Sequence, residues 1–582
     1  MEVFRNFDIL DSALERVPLK VALAAKENGK WTTYSTEQYK DIVTNLSYGL
    51  IKLGIRPGDK VATITNNRPE WNFVNYAVAQ VGGIICPVYP TISEADYKYI
   101  FNDAGIRFVF LSDTDLLGKI QAIKGEVSSL EQVFTFNQIP GQSHWSEILN
   151  TGRSNPEEEE LKKRKSSIQH TDLATIIYTS GTTGKPKGVM LSHQNLVSNA
   201  ISSQPLLPVS YGDRALSFLP LCHVFERTLL NIYTYAGISI YYAESLDTIG
   251  DNIREVKPHI FTAVPRLIEK VYDKIIAGGG QKSGLIKRLF FWAVKKAQSF
   301  EVGQSKGIGD LVAEKLVYSK IKASLGGEVR AIVSGSAALQ IRLAKFFWGI
   351  GIPVLEGYGL TETSPIVSVN TLLPKGTKFG TIGKLLEGVQ VRIAQDGEIL
   401  VKGPNVMMGY YNNDEATNTA ISEGWFHTGD IGEFDGPYLK ITDRKKEMFK
   451  TSGGKYVAPQ PIENTMKESQ FIEQIMVIGE GMKHPAALIV PAFEYVKAWA
   501  KAQGISVSSN SELIKNEALL KAIGKEVVRL NEQFGKVEQI KKFELLEQEW
   551  SIEGGELTPT LKLKRKVIKE KYTHLYTKIY GV

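Results

Sequence analysis

The chain has 582 residues, of which 43% are hydrophobic, 10% aromatic and 23% charged, with 52 Gly and 23 Pro. That balance is ordinary for globular protein and excludes a disordered chain, a collagen and a disulfide scaffold, since the only thiols are Cys86 and Cys222. The net charge of +6, from 69 Lys+Arg against 63 Asp+Glu, is mild over this length, so no nucleic acid is expected as a partner.

Single cores stop growing near about 300 residues, so at least two folding units are expected. The opening MEVFRNFDILDSALERV mixes charges of both signs and lacks a continuous apolar stretch. No secretory signal is read there, and the two cysteines fit a reducing, cytoplasmic setting. Short runs rich in β-branched residues at 60–65, 107–111, 173–178, 238–242, 260–264 and 329–334 alternate with helical periodicity. Such alternation predicts an α/β fold with mostly parallel sheets. The longest uncharged run, 71–93, contains Asn72, Asn75, Gln80, Gly82, Gly83, Pro87 and Pro90. It reads as a helix over 71–81 and a buried strand over 83–88 rather than a membrane span. PEEEELKKRK, 156–165, reads as a solvated loop or frayed helix.

From 382 to 443 short strands with Gly and Asn turns predict a small β-rich subdomain, after which the chain becomes charged and helical again. The boundary is placed there, giving a large N-terminal domain, 1–443, of parallel-sheet α/β subdomains plus the β-rich piece. A small α+β C-terminal domain, 444–582, follows.

The strongest local signal is YTSGTTGKPKGV, 178–189, directly after the apolar strand LATII. Thr179, Ser180, Gly181, Thr182, Thr183 and Gly184 can wrap backbone N–H and hydroxyl groups around phosphate oxygens, with Lys185 or Lys187 adding charge. It is not a Walker A loop: two residues separate Gly181 from Gly184, and Pro186 follows Lys185.

This segment resembles the phosphate-loop signature of the adenylate-forming enzymes, the superfamily of acyl-CoA synthetases, luciferase-type ligases and nonribosomal peptide adenylation domains. Further motifs follow in that family's order: FLPLCH (218–223), VPR (264–266), SGSAA (334–338), EGYGLTET (356–363), GWFHTGD (424–430), TDRKK (442–446) and TPTLK (558–562). TAVPRLIEK (262–270) and the long insert before Ser334 resemble the long-chain fatty acyl-CoA synthetases most.

The resemblance implies that a long-chain fatty acid reacts with ATP to give an acyl-adenylate and pyrophosphate, and that the acyl group then passes to coenzyme A with release of AMP. An acyl-adenylate ligase, or a CoA ligase for a medium-chain or aromatic acid, is the alternative. A carboxylate is already ionised at neutral pH, its reference pKa being about 4, so positioning and charge stabilisation replace a nucleophilic side chain. Cys222 beside His223 is accordingly read as a buried thiol next to a site histidine, not as a dyad.

Carried over by motif, Lys562, Thr182, Glu362 and His223 form the catalytic set, with Glu362 as the Mg2+ ligand and Thr361 at the phosphate. Tyr358 is the adenine-stacking aromatic, flanked by Gly357 and Gly359. Ser336, Glu356 and Lys187 join the ATP set, and Asp430 with Arg444 holds the ribose. Four basic residues within 562–566 leave Lys564 in competition with Lys562 for the adenylation role. Lys446 matches the hinge of a mobile C-terminal lid, and Ser452, Gly453 and Gly454 match the loop that lines the CoA site after rotation.

Phe225 and Val264 are candidates for the acyl pocket. The insert GLIKRLFFWAVKK, 284–296, is a basic amphipathic helix that either packs on the domain or lies on the inner membrane face. A homodimer stays open as the assembly.

Overall fold

The computed structural model describes residues 2–179, 185–245, 247–305, 307–506, 508–558 and 561–581. Within these residues the expected alternation forms two large sheets. In the seven-stranded one, Gln132–Thr135, Ile106–Leu111, Lys60–Ile64, Ile84–Pro87 and Leu173–Thr179 run parallel in that order. Lys187–Ser192 and Gly409–Tyr410 extend it antiparallel. The nine-stranded sheet has a parallel centre of Val354–Gly359, Ala331–Ser334, Ile260–Ala263, Arg214–Ser217, Ser239–Tyr242 and Leu23–Glu27. Parallel strands are covered on both faces, so they appear in sequence as continuous apolar runs.

The helices Thr36–Lys52, Pro69–Gln80 and Val224–Ala236 contribute Leu46, Phe73, Leu229 and Tyr233 to one core. Every residue of Pro69–Gln80 is buried, and Ile84–Pro87 follows it as a central strand. Residues 71–88 of the uncharged run are therefore almost all buried, and the run reaches the surface only at its end, where Thr91 and Ser93 are exposed. Among the described residues no helix is long and apolar enough to cross a membrane.

One expectation needs correction. Residues 158–167 are neither loop nor frayed end but the helix Glu158–Ser167. Its Leu161 is buried, Arg164 donates to the carbonyl of Ile55 at 2.7 Å, and Lys165 pairs with Asp11 at 2.8 Å. Long-range partners on one face hold a segment whose own composition would leave it solvated.

A five-stranded antiparallel sheet of Gln390–Ile393, Glu398–Lys402, Trp425–Asp435, Ile421–Ser422 and Tyr438–Arg444 occupies the β-rich stretch. Beyond it, Ile472–Ile478 pairs antiparallel with Ala486–Pro491, which pairs parallel with Lys542–Leu545. The helices Pro459–Met466 and Glu517–Asn531 pack there around Met466, Leu488, Ile489, Ile523 and Leu530, and that core contains no residue before Phe449.

Candidate active site

The strands Leu173–Thr179 and Lys187–Ser192 form a hairpin in which Thr179 faces Lys187. Ser180, Gly181, Thr182, Thr183 and Gly184, expected to cradle phosphate, lie outside the described residues, as do Pro559 and Thr560 of the TPTLK motif. At the hairpin's end the Lys187 ammonium sits 4.9 Å from the Tyr410 ring centroid, while exposed Lys185 sits 5.5 Å from that of Tyr99.

Tyr410 also donates its hydroxyl to Glu362 Oε1 at 2.9 Å, and the Glu362 carbonyl accepts the N–H of Met407 at 2.8 Å. Burial raises the Tyr410 phenol, and the Glu362 carboxylate raises it further. Nothing in the sequence points to Tyr410, because its contact spans 48 residues and GYYN carries no motif. Half-buried Glu362 stands in the single turn Thr361–Thr363 that follows the strand Val354–Gly359. Among the described residues no group of three or more His, Cys, Asp or Glu could hold a metal ion. A lone carboxylate still suits Mg2+, which retains waters and shares phosphate oxygens instead of taking an all-protein cage.

Asp430 and Arg444 face each other across the strands Trp425–Asp435 and Tyr438–Arg444. The register explains their contact: Arg444 Nε donates to Asp430 Oδ1 at 2.8 Å, and the Tyr358 hydroxyl donates to Oδ2 at 2.7 Å. Asp430 is only 4% exposed. Burial works against the Arg444 cation, yet Asp430, joined by Glu447 and Tyr358, offsets it and the guanidinium pKa is raised. Each carboxylate oxygen thus already accepts one bond and keeps one lone pair for a ribose hydroxyl.

The two glycines beside Tyr358 differ in what surrounds them. A Cβ on Gly359 would lie 1.6 Å from the Pro365 carbonyl oxygen, so close strand pairing requires that glycine. Gly357 makes only ordinary contacts. Behind them, Gly335 packs against the Phe225 ring, Ser336 adopts a φ of 72°, and burial pushes the Glu356 carboxyl up to about 8.

Lys562 reaches this cluster from the C-terminal core. Leu557 and Leu563 bridge antiparallel, Lys562 N donates to Thr558 Oγ1 at 3.0 Å, and Leu561 has a φ of 61°. Burial and then Arg444 press the Lys562 ammonium down to about 8 against the pull of Asp430, Glu447 and Glu362. His223, capping the helix Val224–Ala236, accepts the Phe225 N–H on Nδ1 at 3.1 Å. Burial and the Lys562 charge push its pKa down to about 3, so the imidazole is neutral. Exposed Lys564 instead precedes the helix Arg565–Lys571. The Cys222 thiol is buried and raised by desolvation, which leaves it protonated.

Phe225 and Val264 are buried at the starts of the helices Val224–Ala236 and Pro265–Gly280. Ser452, Gly453 and Gly454 stand on an exposed loop. Lys445 is bound to Asp396 at 2.6 Å and Glu398 at 3.0 Å, whereas Glu447 accepts from Arg565 at 3.0 Å. Exposed Lys446 lies between these two anchors.

Residues 10–411 match the family described as AMP-binding enzyme, and residues 447–581 match the AMP-binding enzyme C-terminal domain. A long-chain-fatty-acid–CoA ligase of Mycobacterium bovis is 34% identical over 95% of this chain and 93% of its own. Long-chain-fatty-acid–CoA ligase 6 of Homo sapiens is 31% identical over 96% of this chain and 83% of its own. Among solved structures, an anthranilate CoA ligase in complex with anthranoyl-AMP superposes with a TM-score of 0.75 at 20% identity, covering 97% of both chains. An o-succinylbenzoate CoA synthetase of Bacillus subtilis with ATP and magnesium gives 0.68 at 21% identity, over 97% of this chain and 98% of that one. At those identities the structures establish the fold alone.

Proposed function

The chain belongs to the AMP-binding enzyme family, and from that premise we propose which of its residues carry out each part of the reaction. The protein is an ATP-dependent long-chain fatty acid–CoA ligase: it joins the acid to AMP, releases pyrophosphate, and passes the acyl group to the CoA thiol with release of AMP.

In the first half-reaction a fatty carboxylate oxygen attacks the α-phosphorus and the bond to pyrophosphate breaks. Lys562 holds its positive charge against the carboxylate and α-phosphate, countering their mutual repulsion. Asp430 and Arg444 fix the ribose, while Tyr358 orients Asp430 and lines the adenine site. Thr179, Ser180, Gly181, Thr182, Thr183, Gly184 and Lys187 hold the phosphates. Glu362, steadied by Tyr410, would hold Mg2+ together with the triphosphate; the ion, when bound, neutralises phosphate charge. Neutral His223 stands beside Lys562 as a hydrogen-bonding group at the acyl carboxylate. The second half-reaction needs the CoA thiol where Lys562 stood, so rotation of the C-terminal domain at Lys446 brings Ser452, Gly453 and Gly454 to the site.

The observation that carries this reading is the charge relation of Lys562, from the C-terminal core, to Asp430, Arg444, Glu362 and His223. Palmitate-dependent ATP–pyrophosphate exchange tests it. Lys562→Ala is expected to abolish exchange while thioester formation from preformed palmitoyl-adenylate persists, and Lys564→Ala is expected to leave both. Exchange supported by acetate or an aromatic acid but not by palmitate would reject the chain length.

A second observation favours peripheral contact with an anionic bilayer. The helix Gly284–Gln298 packs on the domain through Ala293, Val294 and Ala297, yet its first turn leaves Leu285 80% and Ile286 64% exposed. Ile308 and Leu311 of the helix Ile308–Ala313 are 83% and 61% exposed, and Lys282, Lys287, Arg288 and Lys295 are exposed in the same stretch. Apolar tips set among cations complement anionic headgroups and the acyl region beneath them. Co-sedimentation with phosphatidylglycerol vesicles, lost on Leu285→Asp with Ile286→Asp and absent with phosphatidylcholine alone, is the expected result.

A further inference from the structure

The VPR motif is not used by the chemistry above, yet its arginine crosses to the other domain. Arg266, in the first turn of the helix Pro265–Gly280, forms an ion pair with Glu473 at the start of the strand Ile472–Ile478 and donates to the Glu473 carbonyl at 3.4 Å. One turn on, Glu269 is 6% exposed and accepts from Arg266 at 3.4 Å, from Gln340 at 3.1 Å and from Lys467 of the C-terminal core at 3.4 Å. Arg342 donates to Gln340 at 2.8 Å and to the Lys467 carbonyl at 3.4 Å. Burial alone would raise the Glu269 carboxyl; Lys467 and Arg266 hold it low.

We propose that Arg266 and Glu269 are positioning residues that latch the C-terminal domain, through Glu473 and Lys467, in the orientation that sets Lys562 at the α-phosphate. The inference rests on the reading that this domain takes a second orientation for thioester formation. The latch residues sit on the same helix whose N-cap is Val264 of the candidate acyl pocket, so acid binding and domain position share one element. The two ion pairs across the interface, Arg266–Glu473 and Lys467–Glu269, are both broken by rotation. The latch therefore favours the first half-reaction and gives no help to the second.

The test measures the half-reactions separately. Glu473→Gln and Lys467→Met are expected to lower palmitate-dependent ATP–pyrophosphate exchange by about tenfold and to leave CoA transfer from preformed palmitoyl-adenylate within about twofold of wild type. Arg266→Lys, which keeps a cation between Glu269 and Glu473, should retain most of the exchange that Arg266→Met removes. Equal loss in both half-reactions, unchanged exchange, or equal loss in Arg266→Lys and Arg266→Met overturns the proposal. Wild-type protein showing no palmitate-dependent exchange would count against the ligase reading instead. Small-angle scattering of the same variants then still reads the latch: a larger radius of gyration than wild type supports it, and an identical one overturns it.

Discussion

At the scale of single residues, the informative groups are those whose surroundings oppose their ordinary ionisation. Lys562 is held down at about 8 by burial and Arg444, and the role proposed for it, drawing carboxylate and phosphate together, requires it charged. kcat/KM for adenylate formation reports the free enzyme, so it is expected to fall as pH rises through about 8, and thioester formation should not share that limb. Tyr410→Phe removes a hydrogen bond to a carboxylate, worth roughly 1.5–3 kcal/mol. Exchange should drop by about tenfold at limiting Mg2+ and recover partly at saturation, as a titration of the ion would show.

Glu226, fully buried and bonded by the Thr262 hydroxyl, is pushed up to about 7 by burial against 4.5 for the free side chain. Below 4.5 both folded and unfolded forms are protonated and nothing is lost. As pH rises to 7 the unfolded chain ionises first, so the fold loses roughly 3 kcal/mol. Glu226→Gln does not ionise, and its Tm should gain on wild type steadily between pH 5 and 7.5.

Elements show what was legible beforehand and why. The parallel strands were readable because burial on both faces leaves uninterrupted β-branched runs, and the observed Lys60–Ile64 and Leu173–Thr179 differ from the expected spans by one residue. The residues proposed for the nucleotide stand out in the sequence only because motifs recur in order; of these, Asp430 and Arg444 prove to be cross-strand partners. What composition could not reveal were partners distant in sequence: Tyr410 at Glu362, Asp11 and the Ile55 carbonyl on the charged helix, and Glu473 on Arg266. Gly359 belongs here too, since its constraint comes from a neighbouring strand. Gly359→Ala drives a methyl into the Pro365 carbonyl and should cost at least about 3 kcal/mol, seen in the urea midpoint.

For the whole molecule, the separate core beyond Phe449 and the short connection at 445–447 give two bodies joined by one exposed turn. Limited trypsin digestion is expected to cut first after Lys445 or Lys446, leaving both fragments protease-resistant. Early cleavage elsewhere would contradict that division.

The anchoring of that turn has one more consequence. Lys445 is tied to Asp396 and Glu398, and every group assigned to the nucleotide except Lys562 precedes it in the chain. With the proposed pivot at Lys446, the lid would swing without disturbing the proposed grip on AMP. The reactive mixed anhydride then stays in its berth while the machinery around it is exchanged, which limits its escape into water and its loss to hydrolysis between the two steps.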